Sequence, residues 1–219
     1  GNIMPIGDHL RDVQDLYGSP ACPHTNAVLL VAGEKGVDLN CHAETDWGPS
    51  GSIRSMSPLG IGPVLKDRDC INYGLVACMS YIDDKGFGPS LVHRNGVTRA
   101  RMWREVTVAQ ACDVGDDASL AASLDQLEET LGSSLGNMRG DYVCGQYTLA
   151  DAAWAGVCQV ATNMGKGDAV SSRAKVNAWF SAVQSHPSTS KESINPYGCM
   201  STKADADAGT IREVRINTA

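Results

Sequence analysis

Short apolar runs broken by Gly, Pro and charged residues fill the first 85 positions, and longer runs at helical spacing fill most of the remainder. Residues 13–17 read as a strand, with Gly18-Ser19-Pro20 as a turn after it. The unbroken run Ala27-Val28-Leu29-Leu30-Val31-Ala32 predicts a helix over residues 23–35. Pro23 suits its first position, because a proline there leaves no N–H unpaired and its φ is already helical. Val37-Asp38-Leu39-Asn40-Cys41 alternates apolar and polar, the period of a half-buried strand over 37–42. A Gly/Ser/Pro-rich loop covers 47–57. Pro63-Val64-Leu65, a turn at Asp67-Arg68-Asp69, and Cys70-Ile71-Asn72 then read as a hairpin. Over 73–83, Leu75, Val76, Met79 and Ile82 are expected on one helical face, and Gly86 and Gly88-Pro89 break the pattern.

Beyond residue 90 every periodic segment is helical. A helix is expected over 97–111. A second, over 118–135, carries Leu120, Leu124, Leu127, Leu131 and Leu135 at spacings of three and four, with Gly136 as its stop. Thr148-Leu149-Ala150-Asp151 before the apolar run 152–161 is a capping box, in which Thr148 and Asp151 satisfy each other's backbone N–H groups. A last helix is expected over 175–185, with His186-Pro187 at its end. The chain therefore divides into an N-terminal extension (1–12), an α/β unit (13–85), an all-helical unit (92–194) and a polar tail (195–219).

Composition narrows the function without naming it. The chain has 219 residues, 42% hydrophobic and 20% charged, with a net charge of −7. That is enough length for one large domain or two small ones. The acidic balance argues against a nucleic-acid or anionic-membrane partner. No apolar stretch approaches the ~20 residues that span a bilayer, and Gly1-Asn2-Ile3-Met4-Pro5 carries no signal-peptide pattern. The 8 cysteines are irregularly spaced with no C-x-x-C. A disulfide scaffold or zinc site is not expected from them. They point instead to a reducing intracellular compartment, cytoplasmic or organellar, with most cysteines packed as small core residues.

One cysteine stands apart. Cys22-Pro23-His24-Thr25 opens the first helix, so Cys22 meets unpaired backbone N–H groups and the positive end of the helix dipole. Both favour the thiolate, which is the nucleophile. The plainer reading is a buried structural cysteine. His24 is expected to point away into solvent.

The order of these pieces resembles the glutathione transferase superfamily. Leu16-Tyr17-Gly18-Ser19-Pro20-Ala21-Cys22-Pro23 is similar to its first strand and catalytic turn, and Glu34-Lys35-Gly36-Val37-Asp38 to its helix-to-strand turn. Ser57-Pro58-Leu59-Gly60-Ile61-Gly62-Pro63-Val64-Leu65 resembles the segment holding the family's cis-proline, and Gly145-Gln146-Tyr147-Thr148-Leu149-Ala150-Asp151 its C-terminal capping box. The resemblance implies a thioredoxin-like domain followed by an all-helical domain, with Pro63 cis. Cysteine at position 22 resembles the omega, lambda and dehydroascorbate-reductase types. It implies thiol transfer through a mixed disulfide, with glutathione as co-substrate and a small electrophile or disulfide as second substrate. The implied glutathione-binding positions are Pro23, Ile61, Gly62, Pro63, Gly74 and Leu75.

Three of those positions depart from the family. Where a Lys or Gln reaches the glycyl carboxylate stands Ile61, and where Glu/Gln-Ser holds the γ-glutamyl end stand Gly74 and Leu75. Asn72, Tyr73 and Arg68 are candidate replacements, and the Gly62 N–H can still pair with the cysteinyl part. Met102 and Trp103 are candidates for the acceptor wall, with helix packing as the alternative. The same departures fit a second reading, a degenerate domain serving as a docking module, as a homodimer or within a larger assembly.

Overall fold

The computed structural model describes residues 13–43, 51–68, 70–133 and 140–186. The extension at 1–12, the tail at 195–219, Asp69, Leu135, Gly136 and Pro187 lie outside the described residues.

The N-terminal half is a four-stranded mixed sheet under helices. Its elements are β1 (Gln14–Gly18), α1 (Pro23–Lys35), β2 (Leu39–Ala43), a 3-10 turn (Ser52–Ser55), β3 (Val64–Asp67), β4 (Cys70–Tyr73) and α2 (Leu75–Lys85). The strand order is β2-β1-β3-β4, with β1 parallel to β2 and antiparallel to β3, and β4 antiparallel to β3. The helical half follows as α3 (Gly96–Ala111), α4 (Asp117–Gly132), α5 (Leu149–Asn163), α6 (Gly167–Ser171) and α7 (Ala174–Gln184). No helix among the described residues is long and apolar enough to cross a membrane.

Helix α1 is buried nearly all round because both α5 and α2 pack against it. That is why its sequence shows no polar face. Gly156 of α5 permits the approach: a Cβ there would lie 2.3 Å from the Pro23 carbonyl oxygen and 3.1 Å from the Ala27 nitrogen. At the other end of α1, Gly36 closes the helix with φ 61°, a left-handed conformation that glycine adopts freely. Beside it, buried Lys35 pairs with buried Asp83 of α2 at 3.1 Å and donates to the Pro89 carbonyl at 2.9 Å. Asp83 also accepts from the Ser90 hydroxyl and the Leu91 N–H. One charge pair thus fastens α1, α2 and the connection into the helical half.

Side chains cap four helices of the helical half. Asn95 Oδ1 accepts from the Val97 and Thr98 N–H groups, and Asp116 Oδ1 from Ala118. Glu128 of α4 accepts from the Lys175 and Val176 N–H groups and so caps α7 from a neighbouring helix. Leu120, Leu124 and Leu127 are buried. Thr148 and Asp151 form the expected capping box at α5. Asp151 is fully buried and accepts from Val143 N–H, Thr148 N–H, the Thr148 hydroxyl and Trp179 Nε1–H. Burial pushes its carboxyl above the usual range, while those donors pull the other way.

Several expectations are corrected. Val76 is exposed and Cys78 takes its place on the buried face of α2 beside Leu75, Met79 and Ile82. Tyr73 ends β4 instead of opening the helix, because Gly74 intervenes with φ 84°. The 3-10 turn and α6 were not foreseen; at 4 and 5 residues neither is long enough to show a period.

Candidate functional site

Three chain segments leave the sheet at one end. Tyr17 of β1 lies opposite Val64 of β3, and Val64 lies opposite Tyr73 of β4. The turn 18–22, the Gly62-Pro63 pair and Gly74-Leu75 therefore meet beyond that edge. The sequence-expected positions come together by register alone.

Cys22 is the N-cap of α1, with φ −94° and ψ 121° and its thiol half-buried. No side chain caps the first turn. Its N–H groups are left to whatever the Cys22 side or a ligand offers. The turn is held from behind: Cys22 N–H donates to Ser19 O at 3.0 Å, and buried Asn26 donates through Nδ2 to Pro20 O at 3.0 Å and to Cys22 O at 2.9 Å. Gly18 is required here, since a Cβ would lie 2.4 Å from Thr25 Oγ1. Sequence reading missed Asn26. Its only signal was an amide standing at the head of an apolar run.

His24 is not solvated as expected. Its ring is half-buried, and Nε2–H donates to the Gln110 carbonyl at 3.2 Å, in the last turn of α3. Burial lowers its pKa, with the Gln110 hydrogen bond opposing. A first-turn residue of α1 thereby fastens the Cys22 turn to the helical half.

The second arm is the loop before β3. The Gly62–Pro63 peptide is cis. Ser57 fixes the loop by donating to Ile61 O at 2.8 Å and accepting from Ile61 N–H at 2.9 Å. Ile61 is exposed, and the Gly62 N–H makes no hydrogen bond among the described residues. The third arm is tied to the second: Gly74 N–H donates to Pro63 O at 2.9 Å, and a Cβ on Gly74 would lie 3.4 Å from Ile61 Cγ2. Leu75 is buried in the core, so only its backbone can face the site. Of the candidate replacements, Asn72 donates to Cys70 Sγ at 3.3 Å, Tyr73 is exposed, and Arg68 stands in the β3–β4 turn with φ 47°. Met102 is wholly buried and Trp103 packs against the core, which favours helix packing over an acceptor wall. Among the described residues no cluster of His, Cys, Asp and Glu is arranged to hold a metal.

The site thus offers a half-buried thiol at a helix start and, beside a cis-proline, a backbone N–H with no partner among the described residues. The three expected ligand-reading positions bring no charged or hydroxyl side chain.

No protein-family model matches the chain. It is similar to a stringent starvation protein A homolog of Coxiella burnetii, 30% identical over 91 residues, covering 42% of this chain. The chain spans only 44% of that relative's length. Among solved structures, glutathione transferase F7 from Populus trichocarpa matches at 24% identity and a TM-score of 0.64, covering 82% of this chain and 97% of that one. Maleylacetoacetate isomerase from Methylobacterium extorquens AM1, solved with malonate and GSH bound, matches at 15% identity and a TM-score of 0.72, covering 85% and 97%. With its mixed sheet, its cis-proline loop and its helical second half, the chain has the glutathione transferase fold.

Proposed function

We propose that this protein is a Cys-type glutathione transferase-like thiol transferase or reductase with Cys22 as its nucleophile. The observation that carries the reading is the placement of Cys22. It is half-buried at the N-cap of α1 and followed by Pro23, with a first turn that no side chain caps. A cysteine so placed attacks a disulfide or electrophile as thiolate, and a second thiol from solution resolves the mixed disulfide. Glutathione is the co-substrate we propose, since the Gly62 N–H suits its cysteinyl amide. Its carboxylates find less: each charge-assisted hydrogen bond that Ile61, Gly74 and Leu75 do not make is worth about 1.5–3 kcal/mol. The reaction belongs in a reducing compartment, where the thiol pool resolves each turnover.

The same gap supports a second reading, in which the domain is a docking module in a homodimer or larger assembly and Cys22 does no chemistry. Alkylation by iodoacetamide separates the two. The first reading expects Cys22 to react at least about tenfold faster than free cysteine at neutral pH, with Cys22→Ser as background. A rate at or below that of free cysteine, with no glutathione binding by calorimetry, gives the docking reading instead.

A further inference from the structure

We infer that the sheet-end site takes its sulfur partner from a polypeptide: a cysteine in an extended segment with apolar neighbours, in preference to the charged tripeptide. The inference rests on the thiol-transfer reading above and names the substrate class of that same site. Leu59 is 75% exposed, Ile61 43%, Tyr73 42% and Val76 40%. They lie on the loop before β3, the end of β4 and the first turn of α2, the segments that enter or leave the sheet at its Cys22 end. Single exposed apolar residues are ordinary, but four on the segments that converge at one end of the sheet point to an interaction surface.

The chemistry of the lining decides between ligands. Glutathione brings two carboxylates and an ammonium, and laying them against Leu59 and Ile61 strips water from charges that gain no partner. A polypeptide segment brings neutral amides and its own apolar side chains. Its backbone carbonyl accepts from the Gly62 N–H in the manner of an added strand, and apolar residues beside its cysteine cover the rim.

The step balances without further components. The Cys22 thiolate attacks one sulfur of a disulfide borne by the segment. The Cys22–segment S–S bond forms, the old S–S bond breaks, and the other sulfur leaves as thiolate. A low-molecular-weight thiol then attacks the Cys22 sulfur and releases the segment thiol, and a second equivalent returns Cys22 to thiolate as a small disulfide forms. The net reaction turns one disulfide and two thiols into two thiols and one disulfide.

The test uses three mixed disulfides with thionitrobenzoate as leaving group, read by its absorbance with the full-length chain. They are a hexapeptide cysteine flanked by Leu and Val, the same peptide flanked by Glu and Lys, and glutathione. Cys22→Ser supplies the background from other cysteines. The expected result is release from the apolar peptide at least about tenfold faster than from either other substrate. The ratio between the two peptides should fall toward one in Tyr73→Ser and in Leu59→Ser. That ratio is internal to each variant, so loss of folding lowers both rates and leaves the comparison readable in whichever variant remains folded. Equal rates, or a preference for the glutathione conjugate, overturn the polypeptide proposal and leave the thiol-transfer reading intact. No release above the Cys22→Ser background overturns both.

Discussion

The foot of α5 and the end of the sheet spend polar groups in opposite ways. At the foot of α5, Asp151 is wholly buried and takes hydrogen bonds from Val143, Trp179 and Thr148, the last through both its N–H and its hydroxyl. At the sheet end, none of Ile61, Gly74 and Leu75, the positions expected from the family resemblance to read a ligand, has a polar side chain. Yet the backbone there is held with equal care by Asn26 and Ser57. The contrast separates two demands on one fold. Groups that determine the conformation are kept and satisfied, and side chains that would select a charged ligand are missing.

The largest effect is expected from removing the satisfied carboxylate. Asp151→Ala leaves the Val143 and Thr148 N–H groups and the Trp179 indole N–H buried without acceptors. The loss should be about 3–5 kcal/mol, read by urea unfolding. A loss under about 1 kcal/mol would mean that water replaces the carboxylate. Gly156→Ala comes next. Its methyl would collide with the Pro23 carbonyl, a backbone atom that yields only if α1 moves, so about 1–3 kcal/mol should be lost and Cys22 alkylation should change with it. Unchanged alkylation would uncouple the two regions.

Ile61→Lys probes the other side of the contrast. On an exposed position it should change stability by less than about 0.5 kcal/mol. Supplying a cation where glutathione's glycyl carboxylate would lie should tighten glutathione binding by about 10- to 100-fold in calorimetry. If binding stays flat, a missing side chain is not what separates this site from a glutathione site. The smallest effect concerns His24. Burial lowers its folded pKa below the ordinary 6.5, so the unfolded chain takes the proton first as pH falls. Its contribution is therefore complete above about 6.5 and is lost below that value, toward the lower folded pKa. His24→Gln keeps a donor for Gln110 and should flatten that part of the stability–pH curve. A curve identical to wild type would show that His24 titrates alike folded and unfolded.

Much of this architecture could be read in the residues. Pro23 and the run behind it gave α1 its bounds, Thr148 and Asp151 announced α5, and the segment around Pro63 announced its cis peptide. What escaped depended on neighbours distant in sequence. His24 looked solvated because nothing nearby in the chain shows that Gln110 arrives beside it. Val76 looked internal because Leu75, Val76, Met79 and Ile82 fit a helical face, and only the lie of α2 on the sheet decides which edge of that face is covered. The buried pair of Lys35 and Asp83 joins residues 48 positions apart, and no local pattern in the chain marks it.

Helix α1 belongs to both halves at once, and this bears on how the protein unfolds. It packs against α5, is fastened to α3 at its first turn and is locked to α2 and the connecting segment at its last. A fragment ending near residue 86 would bare the α5-facing side of α1 to water. The two halves should therefore behave as one cooperative folding unit, with the amides of α1 and α5 exchanging their hydrogens at a common slow rate. A proteolytic cut in the connection would not release an intact N-terminal piece, because the first turn of α1 beside Cys22 rests on Gln110 of α3 and Gly156 of α5.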